Sequence, residues 1–397
     1  MRQGTIIFIL GLAGFTVMAD NWVVSPILPA ISTDLHVQLI RAALLITAYM
    51  IPFGLFQLIF GPLADRYGKR QVINYAMLFF AVTTALCAVA VNFTTLAGYR
   101  ALTGLFAASV MPVGLALIGD LVPMKERQSA VGQFMGIAFL GQGLSMAVGG
   151  SIAFFLNWRG VFAIYSLLAV IPTILLFTAG RRISCSTNRN SSFFGPYWKL
   201  LASSVARRTY LVVLLEGILI VGTFSFLGAY MSRTYRLNYL DIGLTLTAFG
   251  LATVVGGRFV GRLAGLWGRK RVLALGLVCA TAAEALFFAA GNIFTTVVIG
   301  VTLLGFGFIF THSTLTTLAT EFAAQARGAA MSLVAFGFMG GGGVGTAIGG
   351  PLVARMGFTA FFGIYGLAMA LLLFAAVLMV QTEVAAAPAG TAAACKE

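Results

Sequence analysis

The chain has 397 residues, of which 60% are hydrophobic and only 9% are charged. About a quarter of the residues of an ordinary soluble domain are charged, so this composition excludes one. The net charge of +14 would suggest a nucleic acid partner in a soluble chain. With no soluble domain to carry such a site, we expect no nucleic acid partner.

Apolar runs of about 20 residues match the ~30 Å hydrocarbon core of a bilayer, and the sequence is rich in such runs. The first run is too long for a cleaved signal peptide and contains Asp20, so we predict that it is a membrane span. The sequence therefore indicates an all-α polytopic membrane protein with twelve transmembrane helices. In chain order the predicted spans are 5–31, 40–63, 70–91, 94–122, 127–156, 158–180, 208–232, 240–264, 270–290, 293–322, 326–355 and 357–381.

Basic residues are distributed unevenly between the loops. If the 61–70 loop is cytoplasmic, most of the Lys and Arg residues are also cytoplasmic, including those of the basic segment from Arg181 to Arg208. Such an excess is typical of cytoplasmic loops. The pattern predicts an integral protein of the bacterial cytoplasmic (inner) membrane with both termini in the cytoplasm. The loops outside would hold only Arg41, Arg159, Arg233, Arg236 and Arg355.

The chain matches itself at an offset of 200 residues. Six spans fit in one period, so the two halves have the same orientation in the membrane, as in one large class of secondary transporters. We predict an N-terminal six-helix bundle (1–180), a cytoplasmic linker (181–207), a C-terminal six-helix bundle (208–381) and a flexible tail (382–397). The matched pairs include Gly61 and Gly261, Gly68 and Gly268, Arg127 and Arg327, Gly150 and Gly350, and Tyr165 and Tyr365.

Three motifs lie at the ends or in the middle of the early spans. "GPLADRYGKR" fills residues 61–70, "RALTGLFAA" begins at Arg100, and "DNWVVSPILP" extends from Asp20 to Pro29. Together these motifs resemble the major facilitator superfamily of transporters, in particular its twelve-helix drug–proton antiporter branch. The resemblance covers nearly the whole chain. It implies two pseudo-symmetric six-helix bundles, the major facilitator fold, with a substrate cavity between them.

The fifth predicted span departs from the pattern of that branch. Exporters of the family often carry G-x-x-x-G-P-x-x-G-G there, whereas "GQGLSMAVGG" has Ser145 and Met146 in place of the Gly-Pro pair. The glycines still permit close packing of helices. The missing proline leaves the direction of transport open.

The loop at 61–70 resembles a cytoplasmic gate. Gly68 allows a tight turn, and Gly61 allows a neighbouring helix to approach. The resemblance implies that Asp65 contacts the start of the eleventh span, near Arg327 and Gly328. We predict a gate that holds the outward-open state, formed by Gly61, Asp65, Arg66, Gly68, Lys69, Arg70, Asp120 and Arg127.

The charges of this loop have a simpler interpretation as well. They could only anchor the loops at the membrane surface and set the topology. The second copy of the loop, "GRLAGLWGRK", has Gly265 where the first has its acid. It predicts that the second half is held mainly by close packing.

Charges inside membrane spans are costly, so each is a candidate functional residue. Asp20 could bind a proton or a cationic substrate, or it could form a static pair with Arg100. The resemblance links Arg100 to proton transfer. Glu216 either faces the cavity or pairs with Arg207 or Arg208 at the membrane surface.

His312 is one of two histidines and can titrate near neutral pH, although a lone histidine is often only hydrogen-bonded. The predicted proton-coupling residues are therefore Asp20, Arg100, Glu216 and His312. Glu284 lies in a span that is peripheral in the family, and we expect it near the outer interface.

Polar and aromatic residues of the inner spans are candidates for the substrate cavity. Each is a weak signal by itself, because aromatic residues of membrane helices also pack or face lipid. The predicted cavity residues are Asp20, Asn21, Trp22, Tyr49, Gln57, Gln133, Gln142, Phe224, Tyr230 and His312.

No constellation of catalytic residues is present: the sequence has no nucleophile with a paired base, no metal-ligand cluster and no phosphate-binding loop for ATP. We predict a non-enzymatic protein without a cofactor, driven by the proton gradient. The predicted function is secondary active transport by alternating access, as proton-coupled efflux of small amphipathic or cationic compounds. We expect a monomer in the lipid bilayer, with a small-molecule substrate and protons as partners.

Two alternatives remain open. One is a proton-coupled transporter of a specific metabolite, such as a sugar, a nucleobase or a siderophore. The other is a transport-inactive receptor or lipid-handling protein built on the same fold. The sequence does not identify the substrate.

Overall fold

The computed structural model describes residues 3–178, 194–322 and 327–380, and these residues form helices joined by short turns. The first half contains eight helices: α1 (Gln3–Trp22), α2 (Val24–Asp34), α3 (Leu39–Tyr67), α4 (Lys69–Ala88), α5 (Phe93–Ala107), α6 (Val110–Leu121), α7 (Met124–Phe155) and α8 (Trp158–Thr178). The remaining helices are α9 (Gly195–Ala202), α10 (Ser204–Glu216), α11 (Gly222–Tyr235), α12 (Tyr239–Trp267), α13 (Arg269–Ala290), α14 (Phe294–Phe322), α15 (Arg327–Ala335) and α16 (Gly341–Met379).

Eleven helical stretches of the described residues are long and apolar enough to cross a bilayer. The prediction of an all-α polytopic membrane protein is confirmed. The last stretch, Gly328–Met379, has 52 residues and contains Gly357, whose φ of 79° and ψ of 174° are not helical. A continuous helix of that length would extend about 78 Å, more than twice the ~30 Å hydrocarbon core. The count of twelve helices stays a prediction.

Glycines with positive φ end α3 and α12 at matching positions of the repeat. Gly68 has a φ of 97° and Gly268 a φ of 81°. Other residue types rarely adopt this backbone region, so glycine lets each helix stop and the next begin without strain. The expected tight turn is present in both copies of the loop.

Two π-helical segments interrupt spans of the second half. The first, Gly217–Val221, lies between α10 and α11, and the second, Phe336–Gly340, lies between α15 and α16. The segments are in contact, with Gly217 against the backbone of Phe338. Single π-helical turns are frequent at functional sites. Here they set the position of Glu216, which directly precedes the first segment.

The two halves meet where α7 crosses α12. A Cβ atom on Gly143 would lie 3.7 Å from Cα of Gly250, and one on Gly150 would lie 3.1 Å from Cα of Gly243. Further along both helices, toward the loops at 61–70 and 261–270, the added atom would meet nothing within 4 Å at Gly132, Gly136, Gly261 or Gly265. The helices therefore diverge toward these loops. We call this side the loop end and the other side the opposite end.

Hydrogen bonds between the halves close the opposite end and the middle of the molecule. The Ser25 hydroxyl on α2 donates to the Phe224 carbonyl on α11 at 3.0 Å. The Thr47 hydroxyl on α3 donates to the Gly343 carbonyl on α16, also at 3.0 Å. The described conformation is therefore closed at the opposite end and in the middle.

The end of the predicted linker is helical. Residues 179–193 and 381–397 lie outside the described residues, but α9 forms within the predicted linker, and α10 begins at Ser204. The Tyr197 hydroxyl on α9 donates to the Leu58 carbonyl on α3 at 3.0 Å. The linker helix is thus attached to the first half. The predicted domain boundaries stay predictions.

Candidate binding cavity and charged loop end

A cavity lies between the two halves, with about 670 Å³ of empty space including its open side. Its wall is formed by α1, α3, α6 and α7 of the first half and by α14, α15 and the second π-helical segment of the other. The wall is largely apolar and flexible, because methionine side chains adapt easily to different shapes. Its methionines are Met18, Met111, Met135, Met331 and Met339, and its aromatic residues include Trp22, Phe53, Phe139, Phe308 and Phe338.

Four of the predicted cavity residues line this wall: Trp22, Gln57, Gln142 and His312. The indole nitrogen of Trp22 and the amide nitrogen of Gln142 are buried without a hydrogen-bond partner among the described residues. Both nitrogens carry N–H groups, so each can donate to an oxygen of a bound molecule. The wall residues that the structure describes include no Lys, Arg, Asp or Glu.

Several other predicted cavity residues do not line this cavity in the described conformation, because neighbours cover them. Phe224 packs edge-on against Trp22, with ring centroids 4.9 Å apart. The Asn21 amide lies 3.7 Å from the Met339 sulfur. Tyr230 donates to the Gly291 carbonyl at the opposite end.

Gln133, a further predicted cavity residue, lies on α7. Its side chain is exposed, and it is not part of the described wall. Its role in substrate binding stays a prediction.

Asp20 and Arg100 form an ion pair inside the first half. The Arg100 Nη1 lies 2.7 Å from Asp20 Oδ2, and the Arg100 and Asp20 side chains are 1% and 0% exposed. The guanidinium also lies over the ring of Tyr49, 4.2 Å from its centroid. The pairing that the sequence suggested is present, but these three side chains are not part of the described cavity wall. A role in proton coupling stays a prediction.

Glu216 and His312 form a second pair, at the wall of the cavity. His312 Nδ1 lies 3.2 Å from Glu216 Oε2; the carboxylate is fully buried, and 20% of the His312 side chain is exposed. The histidine ring packs on Phe338 of the second π-helical segment, with ring centroids 4.4 Å apart. The pair therefore connects a buried acid to the cavity.

The alternative partners of Glu216 are engaged elsewhere or lie apart from it. Arg207 donates through Nη1 to the carbonyls of Leu201 at 3.0 Å and Ala202 at 2.9 Å. Arg208 is exposed near the start of α10, about two turns before Glu216. The sequence did not predict the pair with His312, because the two residues are 96 positions apart and the π-helical segment changes the helical phase.

Glu284 on α13 is fully buried and accepts a hydrogen bond from the Thr223 hydroxyl on α11. Glu284 lies six residues before the end of α13 that faces away from the loops, so its expected place near the outer interface stays a prediction. The acid is buried by close packing: a Cβ atom on Gly366 would lie 3.1 Å from Cβ of Glu284, so glycine lets α16 cover the acid closely. The second carboxylate oxygen of Glu284 has no partner among the described residues.

Charged residues at the loop end hold helices of the first half together. Lys69 Nζ lies 2.6 Å from Asp120 Oδ2 and 3.5 Å from Asp65 Oδ1. These residues come from α3, α4 and α6. The contact therefore clamps one half internally. A contact of Asp65 across the halves stays a prediction.

The other predicted gate residues surround this clamp. Arg66 is exposed, with its guanidinium 6.0 Å from the ring centroid of Tyr67. A Cβ atom on Gly61 would lie 3.9 Å from the hydroxyl oxygens of Ser332 and Tyr197, so α15 and α9 come close to it. Arg70 is partly buried and makes contacts of its own. The side chain of Arg127 lies outside the described residues.

The second half has its own ion pair at the loop end. Both guanidinium nitrogens of Arg269 bind the carboxylate of Glu321, with Nη2 2.6 Å from Oε1. This pair joins α13 to α14, as Lys69 and Asp120 join α4 to α6. A Cβ atom on Gly265 would meet nothing within 4 Å. Within the second half the loop is thus held by charge in the described conformation; close packing of this loop when the loop end is shut stays a prediction.

The family model of the Major Facilitator Superfamily matches residues 10–243 and 209–394. The chain belongs to this family, which makes it a membrane transporter and not an enzyme.

The chain is also similar to individual proteins. It is 29% identical over 381 residues to the uncharacterized MFS-type transporter YceJ of Bacillus subtilis (strain 168), covering 89% of this chain and 93% of YceJ. It is 27% identical over 299 residues to citrate exporter 1 of Aspergillus niger, covering 66% of this chain and 57% of the exporter. The structure of the nucleoside transporter NupG (D323A mutant) has the same fold, with a TM-score of 0.76 at 15% identity, covering 95% of this chain and all of NupG.

Proposed function

We propose that the protein is a proton-coupled exporter of small amphipathic or cationic compounds that works by alternating access. One observation carries the proposal: a buried acid, Glu216, is connected through His312 to an otherwise apolar cavity between the halves. The cavity supports the substrate class, and the pair supports the coupling.

The wall of the cavity favours apolar molecules with few polar groups. Methionine and aromatic side chains can pack against molecules of different shape. The unpaired N–H groups of Trp22 and Gln142 would suit a substrate with an oxygen acceptor. A tricarboxylate such as citrate needs cationic partners, and the described wall has no Lys or Arg. The cargo named for the Aspergillus relative is therefore a poor fit.

The pair can couple a cation to a proton by charge. A buried carboxylate without a neutralising partner is costly. With one proton shared between Glu216 and His312, the pair is neutral, and after loss of that proton its charge is −1. A cationic substrate in the cavity would restore neutrality. Because a proton and a cation neutralise the same carboxylate, they would occupy the site in turn, and an inward proton gradient would drive export.

No other titratable group of the described residues acts on this carboxylate from the helices around it. The π-helical segments consist of apolar residues and glycine, α16 begins with three glycines, and α14 contributes His312, the one charged or titratable group in the described part of the chain that acts on Glu216. Asp20 and Arg100 neutralise each other away from the cavity wall. They remain a second candidate for the proton site.

The test is flux of tetraphenylphosphonium, an apolar monovalent cation, in proteoliposomes with an imposed pH gradient. We expect the wild type to move the probe against its gradient and protein-free liposomes not to do so. Glu216→Gln should lose the dependence on the pH gradient. Glu284→Gln is the matched control, since it removes an equally buried acid of the same half that lies away from the cavity.

Two outcomes would count against the proposal. Wild-type flux that does not respond to the pH gradient would exclude proton coupling. Gradient-driven flux that persists in Glu216→Gln but disappears in Asp20→Asn would move the proton site to the first half.

A further inference from the structure

A second groove, with about 1020 Å³ of empty space including its open side, opens on the surface of the second half at the loop end. One wall is formed by Tyr210, Leu211 and Leu214 of α10, and the facing wall by α15 and the second π-helical segment. Arg207 and Arg208 lie where α10 begins, at one end of the groove. The groove therefore combines an apolar channel with two positive charges at its mouth.

The charge at this mouth is not balanced by the protein. Arg207 donates to two backbone carbonyls, which are neutral. Both arginines are exposed, and no carboxylate of the described residues pairs with either. The Tyr210 side chain is only 7% exposed, and its hydroxyl has no hydrogen-bond partner among the described residues. A ligand with an anionic head and an apolar body would suit both the two arginines and the apolar channel.

We propose that this groove binds an anionic phospholipid. The phosphate would be held by the guanidinium groups of Arg207 and Arg208, which match phosphate oxygens in shape and charge. An acyl chain would fill the channel between Leu211 of α10 and Phe336 of the second π-helical segment. Basic pockets between membrane helices bind anionic headgroups in this way.

The positive charge of residues 179–193, which precede α9 in the chain, makes this segment an unsuitable occupant of the groove. Residues 179–193 contain Arg181, Arg182 and Arg189 and no acidic residue, so they carry the same sign as the mouth of the groove. A free phosphate ion would leave the apolar channel empty. A phospholipid is the occupant that suits both parts.

The position of the groove gives the lipid a structural effect. Leu201, at the end of α9, is part of its wall, and α9 is attached to the first half through Tyr197 and Leu58. The facing wall includes Leu333 and Gly337 of the second half. A bound lipid would therefore add to the contacts that Arg207 already makes between the linker helix and the second half, and we expect it to stabilise the folded protein.

The test is thermal unfolding of the purified full-length protein in mixed micelles. Phosphatidylglycerol should raise the wild-type Tm, whereas phosphatidylcholine with the same acyl chains and inorganic phosphate should not. In Arg207→Gln/Arg208→Gln, the phosphatidylglycerol needed for half of the shift should rise roughly thirtyfold. The matched control is Arg258→Gln/Arg262→Gln, which removes two exposed arginines of α12 and should behave as the wild type.

A second variant tests the apolar channel. Leu211→Trp keeps both arginines but fills the groove, and it should also lose the response to phosphatidylglycerol. The proposal is overturned if the double Arg207/Arg208 variant keeps the full shift, if the α12 control loses it equally, or if inorganic phosphate reproduces it. These measurements require no transport, so they are independent of the proposed export activity.

Discussion

The ion pairs of this protein differ most in burial. Asp20 and Arg100 are almost completely buried, so removing one partner leaves an uncompensated charge. We expect Arg100→Met to destabilise the protein by about 3–5 kcal/mol, and Asp20→Leu/Arg100→Met by clearly less. Thermal or denaturant unfolding in detergent would measure both.

The surface pair of Asp34 and Arg159 provides the comparison. Its side chains are 46% and 35% exposed, so Asp34→Asn should change stability by at most about 1 kcal/mol. A loss in Arg100→Met no larger than this would show that removal of Arg100 does not leave an uncompensated charge on Asp20.

The surface pair should also respond to pH. The hydrogen bond from Arg159 lowers the pKa of the Asp34 carboxyl, more than burial raises it. A carboxyl with a lowered pKa in the folded state adds stability at neutral pH, and this contribution is lost as the pH falls through that lowered pKa.

Only one of the two buried ion pairs described above could be predicted from the sequence. Asp20 and Arg100 belong to recognisable motifs in spans that pack together, so their pairing could be predicted. Glu216 offered no such motif, and its orientation depends on a π-helical turn that hydrophobic periodicity does not reveal. Glu284 lies in a span expected at the periphery, whereas the glycine at position 366 lets a neighbouring helix bury the acid.

At the scale of helices, the two loop-end clamps are unequal copies. The first joins Lys69 to both Asp65 and Asp120, and the second joins Arg269 to Glu321 alone. Gly265 stands four residues before Arg269, as Asp65 does before Lys69, and has free space around it. Gly265→Asp should therefore add a pair with Arg269 across the turn between α12 and α13 and stabilise the protein by about 0.3–0.5 kcal/mol.

The reverse change should have the opposite sign. Asp65→Gly removes an i,i+4 pair with Lys69 and puts glycine into a helix, which costs about 0.5–1 kcal/mol by itself. Thermal unfolding of both variants at low salt would measure the difference. Equal effects of the two substitutions, in sign and size, would contradict the view that the clamps differ by one acid.

The boundaries of the helices were only partly predictable. Gly68 and Gly268 mark the ends of α3 and α12 in the sequence, because the turn requires positive φ. The interruptions at Gly217–Val221 and Phe336–Gly340 lie inside uniformly apolar runs. Nothing in such a run distinguishes a π-helical turn from an α-helical one, since packing against the neighbouring helix decides between them.

For the whole molecule, the crossing of α7 and α12 determines which end is open. The described conformation is tight near Gly150 and Gly243 and open at the loop end. With the native cysteines replaced by serine, Leu115→Cys in the cavity wall should react faster with a maleimide than Ser25→Cys at the sealed end. The labelling rates of these two positions report the conformation.

A larger side chain at the crossing of α7 and α12 should shift the equilibrium between the conformation open at the loop end and the conformation open at the opposite end. In Gly243→Ala the added methyl would meet the Met146 carbonyl and lie 3.1 Å from Cα of Gly150. Such overpacking costs about 1–3 kcal/mol, which corresponds to about a 5- to 150-fold shift away from the described conformation. Ser25→Cys should then label faster and Leu115→Cys slower.

Gly257→Ala is the matched control on the same helix. Its added methyl would meet only Ile309 of the same half, at 3.8 Å, so both labelling rates should stay at their original values. If Gly243→Ala also leaves both rates unchanged, the crossing does not seal the opposite end. If both positions label faster, the larger side chain has loosened the protein instead of exchanging one closed end for the other, and alternating access about this crossing is excluded.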